Sequence, residues 1–543
     1  MLRGMKTSSR VRPSARSAAT LLALATAVAA CTGNIVDHHA SAVGDDDPAG
    51  DDDSPIVADA AVEPSGPDAA DAPDGAPGAP DAAVDPGTPD AAEEPPADGA
   101  VVPPEPDAAP GPTHDVTPHL IAGGGVADAP IGGELNVYVV DARTGAPVSG
   151  AKVRLGDAAT QNPLAGVTGA DGLVVLASPT LAGAQTVTAS AAGHAAATWI
   201  GVRGANVTIP VAATAAPPSA TAAGTINGWN NLPGPASFND YNLALVLYSF
   251  LDDLNAPENS IVQPMANGTP TNSCLRTAIS NSCAWKMNTR TGAQLHYAVI
   301  VKGNTHGTTN DTSDDTFTLL GYAVGTSLTM NAGQSLTGET LNMISAGAMT
   351  GLQVTFASAP SGLGEVVAIP MINLGAAGRV VLPLPPVKPG AASAMIPTGG
   401  AFAGTPQVVA MATPPGAANV PFSLSFARST SGTSAVPGAF PAPPSALSAG
   451  GNFYGFTAMA GASMHVATLT STGGAVLYWS VVILDGTVGF NLPTLATDPL
   501  PTGSLELHVT GTQVDGFDAT SFNMPAVTAT FTHAAGDQKT FTH

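Results

Sequence analysis

Two cysteines in the body of the sequence are the first residues whose type and spacing permit chemistry. Cys274 and Cys283 enclose eight residues, and no other cysteine occurs after Cys31. In an exported chain such a pair predicts a disulfide, and closing so short a loop stabilises a fold by about 2–3 kcal/mol. A metal-binding or redox pair is the alternative, but no histidine or second cysteine pair flanks the two positions. We expect a disulfide that braces a loop between strands.

A polar segment at residues 310–315 offers oxygen ligands. It contains Asp311, Asp314 and Asp315, and calcium prefers carboxylate and carbonyl oxygens. A solvated turn between two strands is the interpretation that we favour. The sequence therefore predicts no cofactor, with calcium at these three aspartates as the alternative.

Trp229 is a candidate binding residue, because it stands between asparagines in a polar turn, residues 227–231. An exposed tryptophan in such surroundings would give a sugar ring a stacking platform. Packing at a domain junction is the alternative, and we favour it. Trp199, Trp285 and Trp479 lie in or near strand patterns, and we expect all three in the core.

Motifs of common catalytic sites are missing from the sequence. It contains no G-x-S-x-G, no H-E-x-x-H and no G-x-x-x-x-G-K-[ST]. His465 follows an incomplete elbow-like motif and fits a strand position better than a general base. Acids are sparse after Asp115, and pairs of catalytic carboxylates have no fixed spacing that would identify them. We predict no catalytic residue.

The formal net charge of −24 opposes binding to nucleic acid phosphates.

The N-terminus has the pattern of an export signal. Five basic residues and no acid occur in the first thirty positions, and residues 17–30 are apolar and small. This run is too short for a comfortable membrane-spanning helix. The end of the run, Val28-Ala29-Ala30-Cys31, resembles the lipobox of bacterial lipoproteins. That resemblance implies cleavage before Cys31, lipid on its thiol and a membrane anchor. Thr32 in place of Asp favours the outer membrane of a Gram-negative bacterium.

Residues 31–117 are expected to form a disordered acidic stalk. Of the 41 acids, 21 lie between Asp37 and Asp115, and no Lys or Arg occurs from Thr32 to Ala142. A segment of Asp, Ala, Pro and Gly without aromatic residues cannot bury enough apolar area to offset its ordering entropy. Charge repulsion and proline stiffness would extend it, so we expect it to hold the folded part away from a lipid surface.

Strand signals begin at Leu135, and three motifs follow. Residues 141–153 read D-A-R-T-G-A-P-V-S-G-A-K-V, residues 168–172 read T-G-A-D-G, and residues 185–194 form a further strand unit. This order resembles the carboxypeptidase regulatory-like, transthyretin-like β-sandwich family over residues 130–212. The resemblance implies a structural or interaction domain without a peptidase site.

Short β-rich segments separated by Gly and Pro turns continue to the C-terminus, as in sandwich folds. A linker at residues 215–222 precedes an expected β-sandwich at 222–345, a β domain at 346–435 and an immunoglobulin- or fibronectin-like sandwich at 450–543. Residues 526–531 are expected to be one of its strands. The predicted fold class is all-β, with tandem transthyretin-like and Ig-like sandwiches after the stalk.

Together these features favour a non-catalytic protein that is lipid-anchored in the cell envelope and presents β-sandwich modules for adhesion, scaffolding or ligand capture. Its expected partners are the lipid membrane, through Cys31, and envelope proteins or polysaccharide. One alternative is a carbohydrate-binding surface lipoprotein that uses Trp229. Another is an exported hydrolase with a site that sequence motifs do not reveal.

Overall fold

The protein is all-β, as the sequence predicts. A computed structural model describes residues 116–215, 218–249, 272–307, 316–344, 348–382, 391–414, 420–428, 430, 433–474 and 476–543. The expected signal segment and nearly all of the expected stalk lie outside these ranges. In the described residues, 31 strands form five sheets, accompanied by one short α-helix.

The first eight strands cover the segment that resembles the regulatory-like family. They are β1 Gly125–Ala127, β2 Gly132–Asp141, β3 Lys152–Leu155, β4 Ala165–Val167, β5 Leu173–Ala182, β6 Gln185–Ser190, β7 Ala196–Val202 and β8 Asn206–Val211. The turn after β2 forms as its sequence indicates. The Asp141 Oδ1 atom accepts hydrogen bonds from the Thr144 amide and hydroxyl, both at 2.8 Å, and Gly145 adopts a positive φ of 67°.

The next eight strands form one sheet. They are β9 Ser219–Asn227, β10 Asp240–Tyr248, β11 Ser273–Thr277, β12 Asn281–Ser282, β13 Trp285–Arg290, β14 Gly292–Asn304, β15 Thr316–Met330 and β16 Ser335–Met343. A 3₁₀ turn at Trp229–Asn231 follows β9. β9 begins inside the segment expected to be a linker, because Ser219–Ala222 pairs with β13. The expected linker is therefore wrong over residues 219–222.

The apolar runs in β10 and β14 reflect burial on both faces of this sheet. Ala244 and Val246 belong to a core that the eight strands enclose among themselves. Leu245 and Leu247 point the other way, into the main core of the protein. Since neighbouring strand residues face opposite sides, a strand that is covered twice reads as a continuous apolar run.

The middle strands divide between two sheets. They are β17 Met349–Thr355, β18 Glu365–Asn373, β19 Arg379–Val381, β20 Ala391–Pro397, β21 Thr405–Thr413, β22 Phe422–Ala427 and β23 Ser434–Ala435, with a 3₁₀ turn at Gly375–Ala377. β20, β17 and β23 form a three-stranded sheet, and the other four join a twelve-stranded sheet.

The C-terminal part contains the helix. Its elements are β24 Ser445–Gly450, β25 Phe453–Thr457, β26 Met464–Ser471, β27 Leu477–Ile483, β28 Gly489–Asn491, β29 Ser504–Val514, β30 Phe522–Asn523, α1 Met524–Thr530 and β31 Phe531–Thr542. The strand expected at residues 526–531 is wrong, because residues 524–530 are helical. Asn523 caps the helix by accepting the Ala526 amide at 2.8 Å, and Pro525 fits the first helical turn.

One sheet runs through three of the four expected β segments. Its order is β19-β18-β21-β22-β31-β29-β26-β27-β7-β6-β3-β4. β27 lies parallel to β7, with Val482 opposite Trp199, and β30 pairs with β1. At the β7–β27 contact, the buried Trp479 Nε1 donates to the Thr198 hydroxyl at 2.9 Å. The C-terminal strands therefore complete sheets that the N-terminal segment begins.

Two further sheets have the orders β30-β1-β8-β2-β5 and β24-β25-β28. Trp199, Trp285 and Trp479 are buried, as predicted. Among the residues that the structure describes, no helix is long and apolar enough to span a membrane.

Candidate functional site

Several of the sequence-predicted site residues lie outside the described ranges. Cys31, Asp311, Asp314 and Asp315 are among them, so lipid at the first and calcium at the other three remain predictions. Across the described ranges, no group of three or more His, Cys, Asp or Glu side chains is placed to hold a metal ion.

Trp229 is buried, with 2% of its surface exposed. Its ring belongs to the core of the eight-stranded sheet, and its Nε1 donates to the Asn281 Oδ1 atom at 2.7 Å. The ring face is therefore not open to a sugar. Trp229 instead holds the β11–β12 hairpin, which carries Asn281.

The β11–β12 hairpin is held at several points. A disulfide joins Cys274, in β11, to Cys283, which directly follows β12. The Arg276 guanidinium donates from Nη1 to the Leu232 carbonyl at 2.9 Å, and the Asn281 side-chain amide donates to the Asn230 Oδ1 atom at 2.7 Å. These bonds fix the hairpin to the segment that follows β9.

The hairpin ends in a tight turn that presents an isoleucine. The Thr277 amide donates to the Ser280 carbonyl at 2.7 Å, and the Thr277 hydroxyl accepts the Ser280 amide at 3.1 Å. Ile279, at the tip of this turn, is 84% exposed. This exposure leaves the apolar surface of Ile279 in water.

A second exposed apolar residue stands on the loop before β10. Phe238 is 83% exposed. Asp240 shapes this loop, since its Oδ2 atom accepts the Ala236 amide at 3.1 Å and the Ser237 amide at 3.0 Å. β10 pairs with β11 so that Tyr241 lies opposite Thr277. The Phe238 loop and the Ile279 turn therefore extend from the same end of the sheet.

The charge on Asp240 suits this structural role. Burial alone would raise the pKa of its carboxyl group, but hydrogen bonds from Asn304 and Ser237 and the nearby Lys302 ammonium lower the pKa below its ordinary value. The Asn304 amide lies 2.7 Å from Asp240 Oδ1, and Lys302 Nζ lies 3.6 Å from Oδ2. Asp240 is therefore ionised at neutral pH and accepts bonds with both oxygens.

A hollow of about 350 Å³ lies beside the Ile279 turn. It is lined by Gly234, Pro235 and residues 276–281. We call Phe238, Ile279 and this hollow the loop platform. It combines exposed apolar groups, a guanidinium group and braced backbone, a composition typical of protein-binding surfaces.

The sequence analysis did not predict the loop platform, and its one candidate ligand-binding residue was Trp229, for which it favoured packing. A signal is present in each loop: Phe238 and Ile279 are single large apolar residues surrounded by Ser, Thr, Asn, Ala and Pro. Such a residue in a turn has no strand face to bury it. Sequence alone, however, does not reveal that the two loops meet at one end of a sheet.

A larger hollow, of about 580 Å³, lies between the start of the described chain and the segment around α1. His119 and Ser521 are among the residues that line it. The His119 Nδ1 atom lies 3.3 Å from Asp128 Oδ2, and both side chains are about half exposed. No hydrogen bond joins His119 to Ser521 in the part of the chain that the structure describes, so the hollow does not assemble a serine–histidine pair.

Two buried histidines serve the fold. His465 accepts the Met459 amide at its Nε2 atom, at 3.2 Å, and burial lowers the pKa of His465 to about 4. His296 lies inside the eight-stranded sheet, where its Nδ1 atom is 2.7 Å from Glu339 Oε2 and its ring meets Trp285 edge to face. Neither imidazole faces a described hollow.

No protein-family profile matches the chain, and no curated protein matches it. Among solved structures, the Bacillus anthracis TIE protein is similar at 12% identity, over 52% of this chain and 45% of its own length, with a TM-score of 0.14. The chain thus spans less than half of that protein. The shaft pilin SpaA from Lactobacillus rhamnosus GG is similar at 10% identity, over 40% of this chain and 99% of its own, with a TM-score of 0.12.

A tetra-tandem repeat from the extending region of a large adhesion protein is similar at 12% identity, over 75% of this chain and 99% of its own, with a TM-score of 0.12. At TM-scores this low, none of these similarities bears on function.

Proposed function

We propose that the protein is a non-catalytic surface protein that binds an envelope or cell-surface partner through the loop platform. The observation that carries the proposal is the pair Phe238 and Ile279, two large apolar side chains that are 83% and 84% exposed at one end of one sheet. Isolated exposed apolar residues need no explanation, but two on adjacent braced loops mark an interaction surface.

The bracing of both loops supports binding rather than accidental exposure. The disulfide, the Arg276 bonds and the Asp240 bonds order the loops before any partner arrives. Preordered groups lose little conformational entropy on association, so more of the contact energy appears as affinity.

The structural roles of three buried titratable groups support a non-catalytic function. His465 and His296 each hold a structural hydrogen bond, and Asp240 holds a loop. The hydrogen bonds of these three groups stabilise the fold, and their side chains do not converge on a common hollow.

We also propose that the chain is exported, lipid-anchored at Cys31 in the outer membrane, and held away from the lipid by residues 31–117. Its support is the lipobox-like sequence at residues 28–31, followed by the long acidic Asp/Ala/Pro/Gly segment. Two or more acyl chains give a stable anchor where a single chain does not. A partner-binding surface on a long tether can search a larger volume than one at the lipid surface.

The binding proposal is tested with labelled full-length protein and isolated bacterial envelopes. Phe238→Ser combined with Ile279→Ser should abolish saturable binding. The matched control is Val436→Ser combined with Val167→Ser, since these valines are 68% and 61% exposed elsewhere on the surface. Surface changes of this kind alter stability by no more than about 0.5 kcal/mol. Equal binding by both double variants would refute the loop platform as the binding surface.

The anchor is tested separately by labelling expressing cells with a radioactive fatty acid. Cys31→Ala should abolish incorporation into this protein. Labelling that persists in the variant would overturn the lipid anchor without touching the binding proposal.

A further inference from the structure

The hollow beside Ile279 contains the guanidinium group of Arg276, and only some of its N–H donors make hydrogen bonds. Arg276 donates from Nη1 to the carbonyls of Asn230 and Leu232, at 3.4 and 2.9 Å. Its Nε and Nη2 groups have no hydrogen-bond partner among the described residues, although Arg276 lines the hollow. The side chain therefore has a fixed position and donors left over.

The lining of the hollow carries no carboxylate to satisfy those donors. Apart from Arg276 it consists of Gly, Pro, Thr, Ala, Ile, Ser and Asn residues. Ser280 adds a hydroxyl group, while Pro235 and Ile279 add apolar surface. A planar guanidinium that presents N–H groups from one side suits a carboxylate, which can accept two parallel hydrogen bonds.

We propose that this hollow receives an aspartate or glutamate side chain of a protein partner whose apolar residues pack on Phe238 and Ile279. The inference rests on the proposed binding function of the loop platform and names the chemistry of its partner. A protein fits better than a saccharide, because the exposed groups are Phe and Ile, whereas Trp229, which could stack on a sugar, is buried. Apolar contacts around a shielded charged hydrogen bond are the usual arrangement at energetic centres of protein interfaces.

A substitution at Gly234 can test whether the positive charge of Arg276 binds a partner, while the Arg276 side chain and its hydrogen bonds are retained. A Cβ atom built on Gly234 would lie 3.3 Å from Arg276 Nη2, and Gly234 does not have a positive φ. Gly234→Asp therefore puts a negative charge next to the Nη2 group, and the Arg276 side chain need shift by only a few tenths of an ångström to admit the new Cβ atom. Gly234→Asn adds a side chain of the same size without charge and is the matched control.

The experiment selects binders from a library of random short peptides displayed on phage, using the full chain as bait. Native protein and the Gly234→Asn variant should enrich peptides that carry Asp or Glu next to large apolar residues. Gly234→Asp should lose the enrichment of acids. For a selected peptide, replacing its Glu by Gln should weaken binding to the native protein by about tenfold or more.

The outcomes separate this proposal from the function on which it rests. If selected peptides are apolar without acids, and their binding requires Phe238 and Ile279, the carboxylate site is wrong and the loop platform stands. Acid enrichment that survives Gly234→Asp also overturns the carboxylate site. Peptides that bind equally well to the Phe238→Ser, Ile279→Ser variant, or no enrichment at all, overturn both.

Discussion

Protonation of His465 should make the fold acid-sensitive by a predictable amount. His465 lies on β26, is 3% exposed and accepts the Met459 amide hydrogen bond at Nε2. Burial lowers its pKa from 6.5 to about 4. As the pH falls, the unfolded chain therefore binds a proton at His465 before the folded chain does. Protonation favours the unfolded state, so the free energy of unfolding decreases as the pH falls.

The size of the effect follows from the two pKa values. From near pH 6.5 down to near pH 4, the free energy of unfolding should fall by about 3 kcal/mol through this residue. About 1 kcal/mol of that loss should already be present near pH 5.5. Above pH 7 the contribution of His465 should be independent of pH.

His465→Gln isolates this contribution. Glutamine supplies a carbonyl oxygen that can accept the Met459 amide and has no titratable group. Urea unfolding of native and variant full-length protein, followed by tryptophan fluorescence, gives both stabilities at each pH. The native protein should be more stable than the variant near neutral pH. The difference in free energy of unfolding should shrink or reverse towards pH 4, because only the native protein loses stability when residue 465 is protonated.

Carboxyl groups titrate in the same interval, but they are shared by both proteins and cancel in the difference. Two stability curves that stay parallel from pH 7 to pH 4 would show that burial does not hold His465 neutral, and would refute the reasoning.

Three further predictions concern the contacts that join distant segments. Trp479→Phe removes the hydrogen bond to Thr198 between β27 and β7 and should lower the free energy of unfolding by about 1–3 kcal/mol, measured by urea titration; no loss would show that the bond is not needed at this contact. Arg428→Met removes hydrogen bonds to the Thr528 carbonyl in α1 and to the Phe531 carbonyl at the start of β31, and it removes stacking on two phenylalanine rings. It should cost about 2 kcal/mol, which differential scanning calorimetry would detect, and an unchanged transition would contradict it. Asp240→Asn should speed hydrogen exchange at the Ala236 amide at neutral pH, and the native rate should approach the variant rate only in acid, below the lowered pKa of Asp240; equal exchange at neutral pH would show that the carboxylate does not order the loop.

Local sequence was sufficient for much of the β structure. The T-G-x-P turn after Asp141 forms because the side chains that cap it lie within three residues of each other. The apolar runs at residues 243–248 and 295–301 are strands because burial on both sides needs continuous apolar sequence. The C-terminal helix was missed because its apolar run also suits a strand. Asn523 and Pro525, a cap followed by a first-turn proline, were the overlooked signals.

The sequence did not predict which distant strands pair with each other. Nothing in the local pattern of β7 specifies β27 as its neighbour, because the two strands lie far apart in the chain and pair in parallel. Parallel pairing leaves no turn motif between the partners. The same limit applies to the binding surface, since Phe238 and Ile279 approach one end of the sheet only through the register of β10 with β11.

By itself, therefore, the sequence determined the all-β class, most strand positions and the burial of Trp199, Trp285 and Trp479, because each depends on residue types within a short window. The lipobox-like motif that ends at Cys31 is equally local, and the lipid anchor stays a prediction. Tertiary structure decided that three expected β segments share one sheet, that Trp229 is buried, and that two exposed apolar side chains stand on neighbouring loops at one end of another sheet. Those outcomes depend on which strands pair and in what register, and that choice is made by side chains that meet only after the chain has folded.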